Sequence, residues 1–190
     1  MARKKEMCSS ENHEPGAGIV LMKLEELHSF EGHPFKVERN QELFELRCSI
    51  EKEGVLVPLL VRKNPHGDGY EIIAGHRRKE AALWAGLMEV PVIIRELDDD
   101  QSVIAMVDSN LQREKILPSE KAFAYKMKLE AIKRQGQRSD LTSTPLEPKL
   151  KGSRSNEELA ASSPDSRSQI QRYIRLTELI PPVLDMVDSG

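Results

Sequence analysis

The chain has 190 residues, 38% hydrophobic and 31% charged, which is core enough for one ordinary domain or two small ones. No run approaches the roughly 20 apolar residues that span a bilayer, and the basic N-terminus MARKKEMCSSENHEPGAG has no apolar stretch behind it, so neither a membrane span nor secretion is expected. The net charge of −3 hides a split: residues 1–115 hold 16 Lys and Arg against 21 Asp and Glu, residues 116–190 hold 12 against 10, a balance that permits a DNA-binding module without demanding one.

Residues 1–18 read as a polar, Gly/Pro-punctuated tail. IVLMKLEEL (19–27) predicts a short strand entering a turn. Leu43, Leu46 and Ile50 recur at helical spacing, with Asn40 as N-cap and Gly54 as the stop. Val55–Arg62 and Tyr70–Ala74 are β-branched runs flanking the turn signal NPHGDG, which predicts a hairpin. Gly75 then opens a helix, HRRKEAALWAGL, which Gly86 ends, and a further strand, VPVIIREL, follows. Asp98 or Asp99 caps a helix running through SVIAMVDSNLQR, and Pro118 starts another. Beyond residue 97 everything periodic is helical, so the expected fold class is α+β, a mixed domain followed by an all-helical one. The span 136–155 is rich in Ser, Thr, Pro and Gly and reads as a linker. Three short helical pieces follow, and the chain stops at Gly190 without a clear domain ending, which suggests truncation.

Two segments carry candidate chemistry. Gly75-His76-Arg77-Arg78 sits at a strand-to-helix junction, where free N–H groups, the positive end of the helix dipole and two planar guanidinium groups suit phosphate oxygens. An exposed basic helix start serving only solubility explains this tetrapeptide alone equally well. Asn110-Leu111-Gln112-Arg113 closes a helix, and by itself is an ordinary polar terminus. Cys8 and Cys48 have no partner pattern, and His13, His28, His33 and His66 lack ligand spacing, so they read as structural or solvated. Asp98, Asp99 and Asp100 are consecutive, diverge at a helix start and read as cap and dipole partners rather than a nuclease's metal-binding carboxylates. Trp84, Phe123 and Tyr125 read as packing residues. NEELAAS, the turn through Ser163-Pro164-Asp165 and a helix beginning near Ser166 have the scale of a helix-turn-helix. Its second helix offers Arg167, Ser168, Gln169 and Arg172 to DNA while Ile170, Tyr173, Ile174 and Leu176 face the core.

Five segments in order, SIEKEGVLVPLLVR, YEIIAGHRRKEAALWAGL, VPVIIREL, SNLQREKILPSEKAFAYK and SRSQIQRYIRLTELIP, resemble the ParB family of chromosome and plasmid partition proteins over most of residues 20–188. The resemblance implies a ParB/sulfiredoxin-like N-terminal domain over 19–115 that binds CTP with Mg²⁺ as a DNA-clamp switch, then a helical DNA-binding domain over 116–190. The family's Gly-Glu-Arg-Arg motif falls on Gly75, His76, Arg77 and Arg78, and its Glu-Asn-x-x-Arg motif on Ser109, Asn110 and Arg113, with Asn110 offering an oxygen to Mg²⁺. His76 and Ser109 replace the acids that the family associates with CTP turnover, which puts hydrolysis in doubt and leaves His76 as the one candidate base. Sulfiredoxin chemistry needs a cysteine where Gly75 stands. The partners implied are double-stranded DNA, a nucleoside triphosphate, a second copy in a full-length homodimer and a ParA-like ATPase, in a bacterial cytoplasm at the nucleoid or a plasmid, with no membrane. Two other readings stay open: a ParB-like transcription regulator that needs no nucleotide, and a weak CTPase or nuclease.

Overall fold

The computed structural model describes residues 18–30, 32–35, 37–113, 116–140 and 151–189, and of 137–140 and 151–154 the backbone only. The expected tail, with Cys8 and His13, lies almost wholly outside the described residues, as does 141–150 of the expected linker.

Five strands, β1 (Ile19–Lys23), β2 (Leu27–Ser29), β3 (Leu59–Lys63), β4 (Tyr70–Ala74) and β5 (Glu89–Ile94), form one mixed sheet in the order β1-β5-β3-β4-β2. β1/β5 and β3/β4 pair antiparallel, β5/β3 and β4/β2 parallel. Side-chain alternation decides which face each strand buries. Leu59, Val61, Ile72, Val90 and Val92 pack with Leu43 and Ile50 of α1 (Gln41–Glu53) and Ala81 and Ala82 of α2 (His76–Trp84). Ile73 points the other way, into a second core with α3 (Asp99–Leu111). Each Leu, Ile or Val among them that is removed from water contributes about 1.5–3 kcal/mol, so a one-residue slip in register would forfeit a whole face.

Local chemistry sets the boundaries. Asn40 caps α1 by accepting from the Leu43 amide at 3.0 Å, and Asp98 caps α3 in a reciprocal box with Gln101. Asp99 and Asp100 act instead as pairing groups: Asp99 lies 2.8 Å from Arg62, and buried Asp100 accepts from Arg134 at 2.7 Å. β3 starts at Leu59 rather than Val55, because Pro58 has no N–H for the ladder and Arg78 takes the carbonyls of Val57 and Pro58. α4 (Pro118–Asp140) and α5 (Lys151–Ala161) extend into both ends of the span expected as linker. Trp84, expected in the core, is half-buried between Arg39 and Arg47, each 5.6 Å from its ring, with Phe44 edge-on. Phe123, expected to pack, is 42% exposed, whereas Tyr125 is fully buried as expected.

The helical half is not a separate body. α4 lies along α3, and α5, α6 (Arg167–Leu176) and α7 (Pro181–Ser189) lie against α4. Ile73, Phe35, Met106, Tyr125, Leu129, Leu159 and Ile170 belong to a single apolar cluster that runs from the sheet to α6. Polar ties reinforce it. Lys128, 1% exposed, donates to Asp108 on α3 at 2.5 Å and to Ser162 beyond α5 at 2.8 Å. Asp165 accepts from Tyr125 at 2.7 Å and from Lys121 at 3.1 Å; burial first, then the bond to Asp165, raises the Tyr125 pKa. α7 is held at its far end, where Asp188 accepts from the Ser119 amide at 2.9 Å and from the Ser119 hydroxyl. No helix among the described residues is long and apolar enough to cross a membrane.

Candidate functional site

β4 ends at Ala74 and α2 begins at His76, so the chain must reverse at residue 75. Gly75 does this at φ +111°, a region that side chains rarely adopt, and a Cβ there would stand 2.9 Å from the Leu59 side chain. The same shape argues against the thiol that sulfiredoxin chemistry would place at 75.

The next three residues turn in different directions. Arg77 is half-buried, and both its terminal nitrogens donate to Glu42 of α1 at 3.1 Å. Arg78 turns back and donates to the Val57 and Pro58 carbonyls at 2.6 and 2.5 Å, so its first task is to hold that loop. His76 is buried, and its Nε2 has no hydrogen-bond partner.

Against His76 lies His33, ring centroids 4.0 Å apart and planes tilted by 51°. The sequence reading had set His33 aside as a loop histidine, because nothing local signals a contact across 43 positions. Nδ1 of His33 lies 2.7 Å from the Phe35 carbonyl, while its Nε2 is buried and unpartnered. Phe35 in turn carries the Arg113 guanidinium over its ring at 5.6 Å. Burial and the nearby charges of His33, Lys79 and Arg113 depress the His76 pKa to about 3, so this imidazole is neutral at pH 7. Burial first, then Arg77, lowers Arg113. Lys79, Arg113 and Arg77 thus bring positive charge to the neighbourhood of two stacked rings, each of which keeps a buried nitrogen without a hydrogen-bond partner.

Asn110, at the end of α3, is 3% exposed, and its Nδ2 donates to the Met106 carbonyl at 2.8 Å, which leaves the amide oxygen out of that bond. Ser109 is exposed, and its hydroxyl also donates to Met106. The backbone N–H of Arg113 bonds the Asn110 carbonyl, tying Asn110 and Arg113 into one turn. Among the described residues no three His, Cys, Asp or Glu gather as a metal-binding group. Two surface hollows of about 450 and 460 Å³ lie elsewhere, one beside Arg62 and Tyr70, the other beside Leu83 and Met88. Neither hollow is lined by Gly75, His76, Arg77 or Arg113.

On the helical side, Ser166 caps α6 in a reciprocal box with Gln169, whose Oε1 accepts from the Ser166 amide at 3.0 Å. Gln169, expected to reach DNA, therefore commits its acceptor to the cap. Arg167, Ser168 and Arg172 are exposed; Arg167 stands 3.8 Å from Glu157 and Ser168 bonds Ser166 at 3.2 Å. Arg175, three residues beyond Arg172, is exposed on the same side, a spacing that the sequence reading overlooked. Ile170 is buried and Tyr173 and Ile174 pack behind it, as expected.

Residues 9–111 match the family described as ParB N-terminal domain. The chain belongs to that family. This ParB-family chain is 36% identical over 175 residues to the chromosome-partitioning protein Spo0J of Thermus thermophilus, covering 92% of itself and 56% of that protein. It is 36% identical, again over 175 residues, to the probable chromosome 1-partitioning protein ParB of Deinococcus radiodurans, covering 92% and 53%. It thus spans about half the length of these curated relatives. Among solved structures, it resembles the C-terminally truncated chromosome-partitioning protein ParB of Caulobacter crescentus complexed to the centromeric parS site, at 30% identity and a TM-score of 0.58, over 90% of this chain and 78% of that one. The likeness covers sheet and helices together, in keeping with the α+β fold class expected from the sequence.

Proposed function

We propose that this chain is the nucleotide-sensing and DNA-reading part of a partition protein, one that binds a centromere-like double-stranded DNA site and is switched by CTP with Mg²⁺. The observation that carries the reading is the anion-ready cluster of His33, His76, Arg77 and Arg113, on a fold whose core continues into α6. CTP is the nucleotide that the ParB resemblance implies, and the Caulobacter protein's parS complex supports the DNA half. Gly75, the α2 N-terminus, Arg77 and Arg113 would hold phosphate oxygens, Arg78 would shape the 57–58 loop beside them, and Ser109 would border the Asn110 turn. Asn110 would lend its amide oxygen to Mg²⁺, whose other ligands would come from the nucleotide and water. Arg172, Arg175, Arg167 and Ser168 would meet DNA, with Gln169 fixing the helix start. A ParA-like ATPase, a second copy in the full-length homodimer and a place at the cytoplasmic nucleoid or a plasmid complete the reading.

Titration calorimetry with CTP, GTP, ATP and UTP in Mg²⁺, with and without parS-type DNA, tests it. CTP is expected to bind in preference to the others, and Arg77→Ala is expected to weaken it more than tenfold, the loss of a charge-assisted pair worth about 1.5–3 kcal/mol. Equal, undetectable binding of all four nucleotides, with DNA still bound, would favour the nucleotide-independent regulator.

A further inference from the structure

The stacked histidines allow one step beyond that reading, on which it rests. A carbonyl oxygen only accepts, so the 2.7 Å contact between His33 Nδ1 and the Phe35 carbonyl requires a proton on Nδ1. In the neutral ring Nε2 is then a bare lone pair, buried and without a partner. A bare lone pair repels a phosphate oxygen. Contact becomes favourable only when one more proton lies between them, on the ring as imidazolium or on the phosphate as a hydroxyl donating to Nε2. Either arrangement adds a proton to the complex.

We infer that His33 and His76 form a proton-coupled phosphate receptor, so that this chain takes up a proton as it binds a nucleoside triphosphate. The groups acting on the pair come from several elements. Lys79 of α2 and Arg113 after α3 oppose protonation of His76; Arg113 also opposes that of His33, while Glu120 of α4 favours it. Arg77 reaches the pair through its effect on Arg113. Without an anion, burial and these cations hold both rings neutral. A bound triphosphate reverses the balance, because its negative charge acts in the same sense as Glu120 and offsets the cations that oppose protonation. The sign follows: the nucleotide tightens as pH falls, until the free rings also protonate.

The experiment uses the full 190-residue chain. CTP with Mg²⁺ is titrated calorimetrically at pH 7.5 in two buffers of different ionisation enthalpy, and the difference in apparent heat gives the protons taken up. Uptake approaching one proton is expected, with Kd falling by up to about tenfold per pH unit between pH 8 and 7. Ring nitrogen shifts from ¹⁵N-labelled histidine should show the Nδ1–H form of His33 in the free protein and a change at Nε2 on adding CTP. His33→Asn should bind CTP more weakly at pH 7 and lose both the uptake and the fall of Kd with pH, and His76→Gln should reduce the uptake. Binding with no proton uptake in the parent chain would overturn the inference and leave the nucleotide reading intact. Uptake that persists undiminished in both variants would also overturn it, by placing the proton elsewhere. Absence of binding by the parent chain would overturn both.

Discussion

His76 shows what the sequence conveys about a single residue and what it withholds. Its place after Gly75 at a helix start was legible, because a strand, a glycine and a basic helix opening follow one another within five residues. Its neighbour His33 was not, since only the folded chain brings the two rings to 4.0 Å. Arg77 and Arg78 looked equivalent in the sequence, yet one pairs with Glu42 and the other holds the loop at Val57 and Pro58. Burial of His76 has a consequence for stability. Its pKa is about 3 in the folded state against an ordinary 6.5, so the unfolded chain binds the proton more readily. Stability contributed by the neutral ring is complete above about pH 6.5 and is lost as pH falls towards 3, at no more than about 1.4 kcal/mol per pH unit. Urea denaturation at pH 7.5, 6 and 5 should show this decline, and His76→Gln should flatten it. An identical pH slope in the variant would exclude His76 as its source.

At the scale of elements, α4 joins the two halves through side chains that no local pattern revealed. Pro118 marked the start of the helix in the sequence, but nothing local sets Lys128 apart from its other lysines, and only the fold buries it against Asp108 and Ser162. Removing one partner from a buried pair costs more than replacing the buried charge by a hydrophobe. Asp108→Ala is therefore expected to destabilise the chain towards the lower end of about 3–5 kcal/mol, because Asp108 keeps some water, and Lys128→Met by less. Chemical denaturation of both variants checks the order, and a larger loss from Lys128→Met would contradict it. α6 makes a separate prediction. Arg172 is exposed, and among the described residues it forms no ion pair, so it is open to a phosphate. Arg172→Ala should weaken DNA binding and reduce the slope of log K against log salt by about 0.9, as for one lost phosphate contact. Anisotropy titrations at several salt concentrations measure that slope, and an unchanged value would remove Arg172 from the interface.

For the molecule as a whole, the sequence suggested two domains and a linker, and element types were largely legible because hydrophobic period changes from strand to helix near residue 97. The shared core was not legible. Leu159 and Ile170 lie far along the chain from Ile73, and apolar spacing records which face is buried but not what it meets. Continuity of that core predicts joint unfolding. Leu159→Ala, at a fully buried position, should cost about 2–5 kcal/mol. Trp84, the one tryptophan, sits on the far side of the sheet and reports the N-terminal half. Its fluorescence midpoint should fall together with the helical signal at 222 nm in this variant. A variant whose helical signal melts early while Trp84 holds its midpoint would mean two independent units.

Gly75 and Leu59 together constrain the descent of this fold. A side chain at 75 meets two obstacles, a collision with Leu59 at 2.9 Å and a backbone at φ +111°. A smaller residue at 59 would relieve the first and leave the second. A thiol at 75 therefore demands more of this chain than one substitution: residue 59 must shrink and the turn must relax as well.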